Sequence, residues 1–323
     1  MARRSHGMLR PVDGAGRSPD ALTLGAFGVA VTLGGANFLA VRFSNRELPP
    51  FWGAGLRFLL AAFLFVAIAV ALRLPWPRGR QLALTALYGS LSFAVSYALL
   101  YWALVRVTAG VAVVVLAIVP LVTLLLAVVQ GLERLRARGA IGALLALAGI
   151  AWMAIGPQQV ALPLGALAAM LVAATCIGQS IILGKRLSAN HPAMTNAVGM
   201  MAGSALLLGL SAAAGESRTL PRHAEAFWAV TYLVTLGSVG LFVLVLLVVR
   251  RWTASATSHM FVLFPVVTMA LGAWLADETV TAQAVSGAAL VVVGVWVGAL
   301  SPGARRLAAP LPAQAPPPVT RDL

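Results

Sequence analysis

The sequence predicts an all-α polytopic membrane protein of ten transmembrane helices, arranged as two inverted five-helix repeats with both termini cytoplasmic. Three observations carry that prediction. The 323 residues are 60% hydrophobic and only 10% charged, where a soluble domain has roughly a quarter charged residues. The apolar residues come in blocks of about twenty, the length that crosses a bilayer. The punctuation of 106–150 also recurs in 251–295 at one constant offset. Arg106 falls on Arg251, Thr108 on Thr253, Pro120 on Pro265, Thr123 on Thr268, Glu133 on Glu278, Gly142 on Gly287 and Gly149 on Gly294. Matches of Leu, Val or Ala mean little in such a chain. Shared Pro, Glu and paired Gly mark a duplicated unit, and duplication inside a hydrophobic chain points to a transporter built of two halves.

Taken in order, residues 1–20 form a polar tail with Arg3, Arg4, Arg10 and Arg17. No compact apolar core with a small-residue cleavage site follows, so the first hydrophobic block is expected to stay as an anchor. Ten spans follow, at about 22–43, 52–72, 82–104, 108–130, 139–156, 163–183, 194–214, 227–248, 255–275 and 283–300. All are read as helices, because a helix satisfies its own backbone in lipid. The first repeat covers 21–157 and the second 158–301. The tail 302–323, with Pro310, Pro312 and Pro316 to Pro318, reads as disordered.

Charge then orients the spans. The segments assigned to the inside hold Arg3, Arg4, Arg10, Arg17, Arg73, Arg78, Arg80, Arg134, Arg136, Arg138, Lys185, Arg186, Arg250, Arg251, Arg305, Arg306 and Arg321. Those assigned outside hold Arg42, Arg46, Arg106, Arg218 and Arg222. Seventeen against five places both termini in the cytoplasm. An odd number of spans per repeat then turns the second half over. Glu133 is followed by three arginines, while the matching loop at Asp277 and Glu278 has no basic residue, the charge dressing expected of opposite faces.

Charge position also excludes other classes. The net charge of +14 does not signal nucleic acid, because the basic residues sit at the ends of apolar blocks. The one cysteine, Cys176, cannot make an intrachain disulfide, and no Cys/His metal pattern or other cofactor signature occurs. The phosphate-binding GxxxxGK[ST] loop is absent, as are HExxH and GxSxG, and no span holds a carboxylate. An intramembrane enzyme or a non-transporting sensor or assembly factor are the competing classes. Neither has a feature in its favour as specific as the duplication.

In this setting the chain resembles the EamA family of the drug/metabolite transporter superfamily. The residues that carry the resemblance are Gly34 to Arg42, Leu56 to Ala61, Ala98 to Leu104, the Thr-Ala-Gly start at Thr108, Pro120, Leu132 to Leu135 and Ile141 to Ala143. Pro265, Glu278 and Gly287 repeat part of the set. The resemblance runs from about Leu24 to Leu300. It implies ten helices in two inverted repeats and secondary transport of small organic solutes (metabolites, amino-acid-like compounds or drugs) across the cytoplasmic membrane, often outward. One departure is Ser258-His259-Met260, where the first copy has Val113-Val114-Val115.

The candidate residues each have two readings. Arg57, the one charge well inside a span, is an anchor that snorkels to an interface or an anion contact for substrate. His259 packs at the interface or carries a coupling proton. Asn37 and Gln179, read as equivalents in the first helices of the two halves, glue helices together or face solute. Tyr97 and Tyr101 share a face and line a cavity or join an aromatic belt with Trp102. Pro120 and Pro265 each free a carbonyl and kink their helices, statically or as a gate. Glu133 and Glu278, at helix–helix connections, cap helix ends or pair with loop charges, a reading that stands ahead of substrate binding. The pairs Gly199/Gly203 and Gly294/Gly298 permit close helix approach, including a homodimer through the last helix.

Overall fold

The computed structural model describes residues 20–131, 137–154, 163–187, 190–251, 259–276 and 280–297, and all regular structure among them is helical. Seven helices are long and apolar enough to cross a membrane: Ala21–Ser44, Pro50–Ala71, Arg80–Leu104, Ala109–Val129, Leu164–Gly184, Pro192–Ala213 and Ala224–Val245. Where the other three spans are expected, the described residues form Ala137–Ala154 and the shorter apolar helices Met260–Leu275 and Ala282–Gly294. Each of these borders residues outside the described set.

We label the elements α1 (Ala21–Ser44), α2 (Pro50–Ala71), α3 (Arg80–Gly89), π1 (Ser90–Val95), α4 (Ser96–Leu104), α5 (Ala109–Leu116) and α6 (Val119–Val129). There follow α7 (Ala137–Ala154), α8 (Leu164–Arg186), α9 (Pro192–Ala213), α10 (Ala224–Val234), π2 (Thr235–Gly240), α11 (Leu241–Arg251), α12 (His259–Leu275) and α13 (Ala282–Val295).

Local chemistry sets the helix ends. The Asp20 side chain accepts from Thr23 N at 3.0 Å and so caps α1. Thr108 and Thr281 cap α5 and α13 in the same way. Both α2 and α9 start on a proline, Pro50 and Pro192, where a missing N–H costs nothing. The two prolines at the repeat offset behave differently. At Pro120 the helix divides, α5 ending at Leu116 and α6 starting at Val119. Pro265 lies inside continuous α12, so the expected pair of kinks is a full break in one copy only. His259 is the first residue of α12. Glu133, Glu278 and Gly298 lie outside the described residues, as does the side chain of His259.

Two π turns interrupt the rods α3–α4 and α10–α11. Ser90 and Thr235, their first residues, are 145 apart, the offset that carries Pro120 to Pro265. The Ser96 hydroxyl in the first rod donates to Leu91 O, five residues back, and lies 3.1 Å from Ser92 O.

The pattern of packing is also doubled. Helix α2 lies against α9, and α7 against α13. The Phe51 and Trp52 N–H groups at the start of α2 reach Glu216, just past the end of α9. At the other end Ala69 clusters with Met194 and Val198, so the two helices run antiparallel. Trp152 near the end of α7 meets Ser286 and Gln283 near the start of α13, and Gly294 meets Gly142 and Ala146. That pair is antiparallel too. Helix α1 packs on α12, and α8 packs on α5 and α6. The Thr268 hydroxyl donates to Gly35 O at 2.7 Å, and Thr123 Oγ1 would stand 2.9 Å from a Cβ on Gly178. Large apolar side chains such as Phe63, Trp228, Val266 and Trp274 are more than half exposed, as suits a surface facing lipid tails.

Glycine sets the closest approaches. A Cβ at Gly89 would lie 2.1 Å from Gly199 O, and one at Gly294 2.6 Å from Gly142 O. The Gly294 face is therefore packed on α7 of the same chain. Gly89→Ala must push α3 from α9, at a cost of about 1–3 kcal/mol. It should lower Tm by several degrees, while Gly28→Ala, with nothing within 4 Å, leaves it unchanged; thermal unfolding of the detergent-purified variants checks this.

Candidate functional site

The polar residues that the structure brings together meet at π2. A π turn widens the helix and loosens its regular bonding, and the Gly237 carbonyl accepts two side chains from other helices. Asn37 Nδ2 of α1 donates at 3.1 Å and Arg57 Nη2 of α2 at 3.0 Å. Arg57 Nε also donates to Ser238 Oγ at 3.0 Å. A Cβ at 237 would stand 2.2 Å from Asn37 Oδ1, so a larger residue there would push the Asn37 amide aside. Near by, Tyr232 OH of α10 donates to Leu33 O of α1 at 2.7 Å.

Arg57 does not snorkel. It is 1% exposed, about 10 Å along α2 from its start at 1.5 Å per residue. Its guanidinium carbon lies 5.1 Å from the Phe58 ring centroid and 5.2 Å from that of Tyr97, within cation–π reach. Phe58 meets Tyr97 edge-on at 4.7 Å and Phe93 at 5.2 Å, and Phe93 meets Phe242 at 5.5 Å. Tyr101 is fully buried one turn beyond Tyr97. Arg57 Nη1, Tyr101 OH and Asn37 Oδ1 are buried without a hydrogen-bond partner.

Of the sequence candidates, Asn37, Arg57, Tyr97 and Tyr101 therefore converge, and Gln179 does not. Gln179 instead accepts from Gln130 Nε2 at 2.8 Å, joining α8 to the end of α6. Ser90 bonds within its own helix, to Ala86 O. Trp102 carries the stacked guanidinium of Arg106 at 3.7 Å. It edges an apolar recess of about 290 Å³ with Phe51, Ala169 and Leu210, away from the Arg57 cluster.

Sequence reasoning missed a second polar assembly, between the loop after α1 and the loop after α9. Glu47 accepts from Arg222 N at 2.6 Å and His223 N at 2.9 Å, and pairs with His223 Nδ1. Glu216 caps α2 through Phe51 N at 3.2 Å and Trp52 N at 2.7 Å. Trp52 Nε1 donates to Thr219 O at 2.6 Å, and Arg46 pairs with Glu225 at 2.5 Å. The opposite loops, 72–79 and 187–191, contain no acidic residue from which to build such a latch. The available signal was that Glu47 and Glu216 each follow a helix and face proline- and arginine-bearing loops.

Comparison with known proteins now decides the family. The EamA-like transporter family matches residues 22–155 and again 164–299. The chain belongs to the EamA-like transporter family. A relative in Escherichia coli K12, the uncharacterized inner membrane transporter YedA, is 30% identical over 259 residues, covering 80% of this chain and 84% of its own. An uncharacterized transporter of Archaeoglobus fulgidus is 26% identical over 275 residues, 83% of this chain and 95% of its own. One crystal structure superposes with a TM-score of 0.63 at 22% identity over 90% of this chain and 99% of that one, which shows a common fold. This EamA-like chain is thus a multi-pass membrane transporter, and the Arg57 cluster is its most concentrated buried polar site among the described residues.

The latch has a pH signature. The Arg222 backbone N–H, and then His223, hold the Glu47 carboxyl below its ordinary value of 4.5. A carboxylate with a depressed folded pKa contributes stability fully above its unfolded value, and loses it as pH falls through the folded one. Glu47→Gln should therefore lower Tm at pH 7, and the gap from wild type should close as pH falls from about 5 towards 3. Thermal unfolding across that range measures it.

Proposed function

We propose that this EamA-like protein is a secondary transporter of ten spans in two inverted five-helix repeats, 21–157 and 158–301, with both termini in the cytoplasm. It binds small organic solutes between the halves and carries them outward across the cytoplasmic membrane by alternating access. The observation that carries this reading is the antiparallel packing of α2 on α9 and of α7 on α13. If each helix is the copy of its neighbour, antiparallel contact is what an inverted repeat produces and a same-way repeat cannot. The exchange of contacts supports it further, α1 resting on α12 as α8 rests on α5 and α6.

Two halves that hold each other across equivalent surfaces can rock about the shared axis, opening one side as the other closes. The Glu47–Glu216 latch supports a state shut on the side assigned to the outside. Outward direction follows what the family resemblance implies.

Two measurements test the reading. Reporter tags beside Glu133 and beside Glu278 should fall in opposite compartments; the same compartment for both would overturn the inverted repeat. Purified protein in liposomes should exchange labelled organic solutes by counterflow, and a deletion strain should lose solutes from its medium that an overproducer gains. Product formation without counterflow would instead make the protein an enzyme.

A further inference from the structure

Among the described residues the Arg57 cluster has a charge without a counter-charge. The described acids, Asp20, Glu47, Glu216 and Glu225, stand at helix ends or in loops and are engaged there. None of them pairs with Arg57, and the oxygens that it meets, Ser238 Oγ and Gly237 O, are neutral. A buried cation left this way is costly, because desolvation exceeds what neutral partners return. Nη1, which can only donate, has no acceptor. The Tyr101 ring lies 6.4 Å from that of Tyr97, over which Arg57 sits, and its hydroxyl has no hydrogen-bond partner of good geometry. A buried guanidinium with a free donor and only neutral partners calls for an anionic acceptor, to which the Tyr101 hydroxyl can also donate.

The corresponding crossing in the second half is built without a charge. Pro50 of α2 corresponds to Pro192 of α9, which places Gly199 at the position of Arg57. The offset of the π turns places Phe93 at the position of Ser238. A Cβ on Gly199 would stand 3.3 Å from the rings of both Phe93 and Tyr88. One copy of this crossing is thus filled by glycine and aromatic rings, while the other keeps a guanidinium, a glycine carbonyl and a serine.

We propose that Arg57, with Tyr101 beside it, is a carboxylate-binding site, and that the transported solute is a small organic acid anion with an apolar body. Arg57 Nη1 and Tyr101 OH donate to the carboxylate. Ser238 and Gly237 O hold the guanidinium from the other side, and Phe58 and Tyr97 present ring faces to the apolar part. A guanidinium suits this task through its fixed, planar fork of donors. The inference rests on the carrier reading, since a charge this deeply buried meets solute only when the halves move.

The test uses the full chain in detergent. Thermal stability is measured with acetate, benzoate and phenylacetate, each beside its neutral amide. In wild type the carboxylates raise Tm and the amides do not. Arg57→Lys keeps the charge and loses the fork, so the concentration needed for half the effect rises roughly tenfold or more. Tyr101→Phe removes one unpartnered oxygen and keeps the ligand-free Tm, but weakens the response several-fold. It keeps the test readable if Arg57→Lys does not fold. The site is overturned if amides act as well as acids, if no acid acts on wild type, or if Tyr101→Phe responds as wild type. Counterflow of labelled phenylacetate separates the two readings: binding that depends on Tyr101 without counterflow sinks the carrier and leaves the site. Counterflow of neutral solutes with no preference for acids does the reverse.

Discussion

In hydrocarbon, helices gain little by hiding apolar side chains from one another, so their association must come from close fit and from the few polar bonds that lipid cannot replace. The fold rests on that constraint. Gly89 touches Gly199, Gly149 and Gly294 let α7 and α13 meet, and Gly35 and Gly178 admit α12 and α6. These contacts join the two halves at equivalent places. A chain assembled this way has a seam between its halves, and in the proposed transport cycle the polar groups at that seam decide which side is shut.

At that seam the two copies are no longer alike. One side is latched by Glu47 and Glu216, which accept main-chain N–H groups from the other half. The two matching loops on the other side, 72–79 and 187–191, hold no acid to do the same. Within the bundle, Arg57 and Ser238 occupy one crossing while Gly199 and Phe93 fill the other. Duplication supplies two equivalent halves, and function needs them to differ, so the residues that break the likeness are the informative ones.

Much of the fold could be read in the sequence, because lipid makes the rules simple: block length gives spans, and shared Pro and Gly give the repeat. The Arg57 cluster was half legible. A lone arginine in an apolar span announces itself, and the twin tyrosines share a helical face. Its carbonyl partner did not, since Gly237 and Ser238 read as ordinary small residues until the π turn frees a backbone oxygen. Gln179 lies apart from the cluster because its carboxamide is held by Gln130 at the end of α6, a contact that no sequence spacing announces. The latch was invisible because it depends on two loops some 170 positions apart in the chain.

The π turns also govern which neighbour a rod can serve. A helix with one residue too many in a turn has its stripe of side chains rotated by about 100° beyond that point. Below the turn, α3 shows its packing face to α9; above it, α4 shows its own to α8. A single straight span is thereby phased for two partners, like a screw whose thread is restarted midway. Removing the surplus residue would leave each half of the rod sound and aim one of them at the wrong wall.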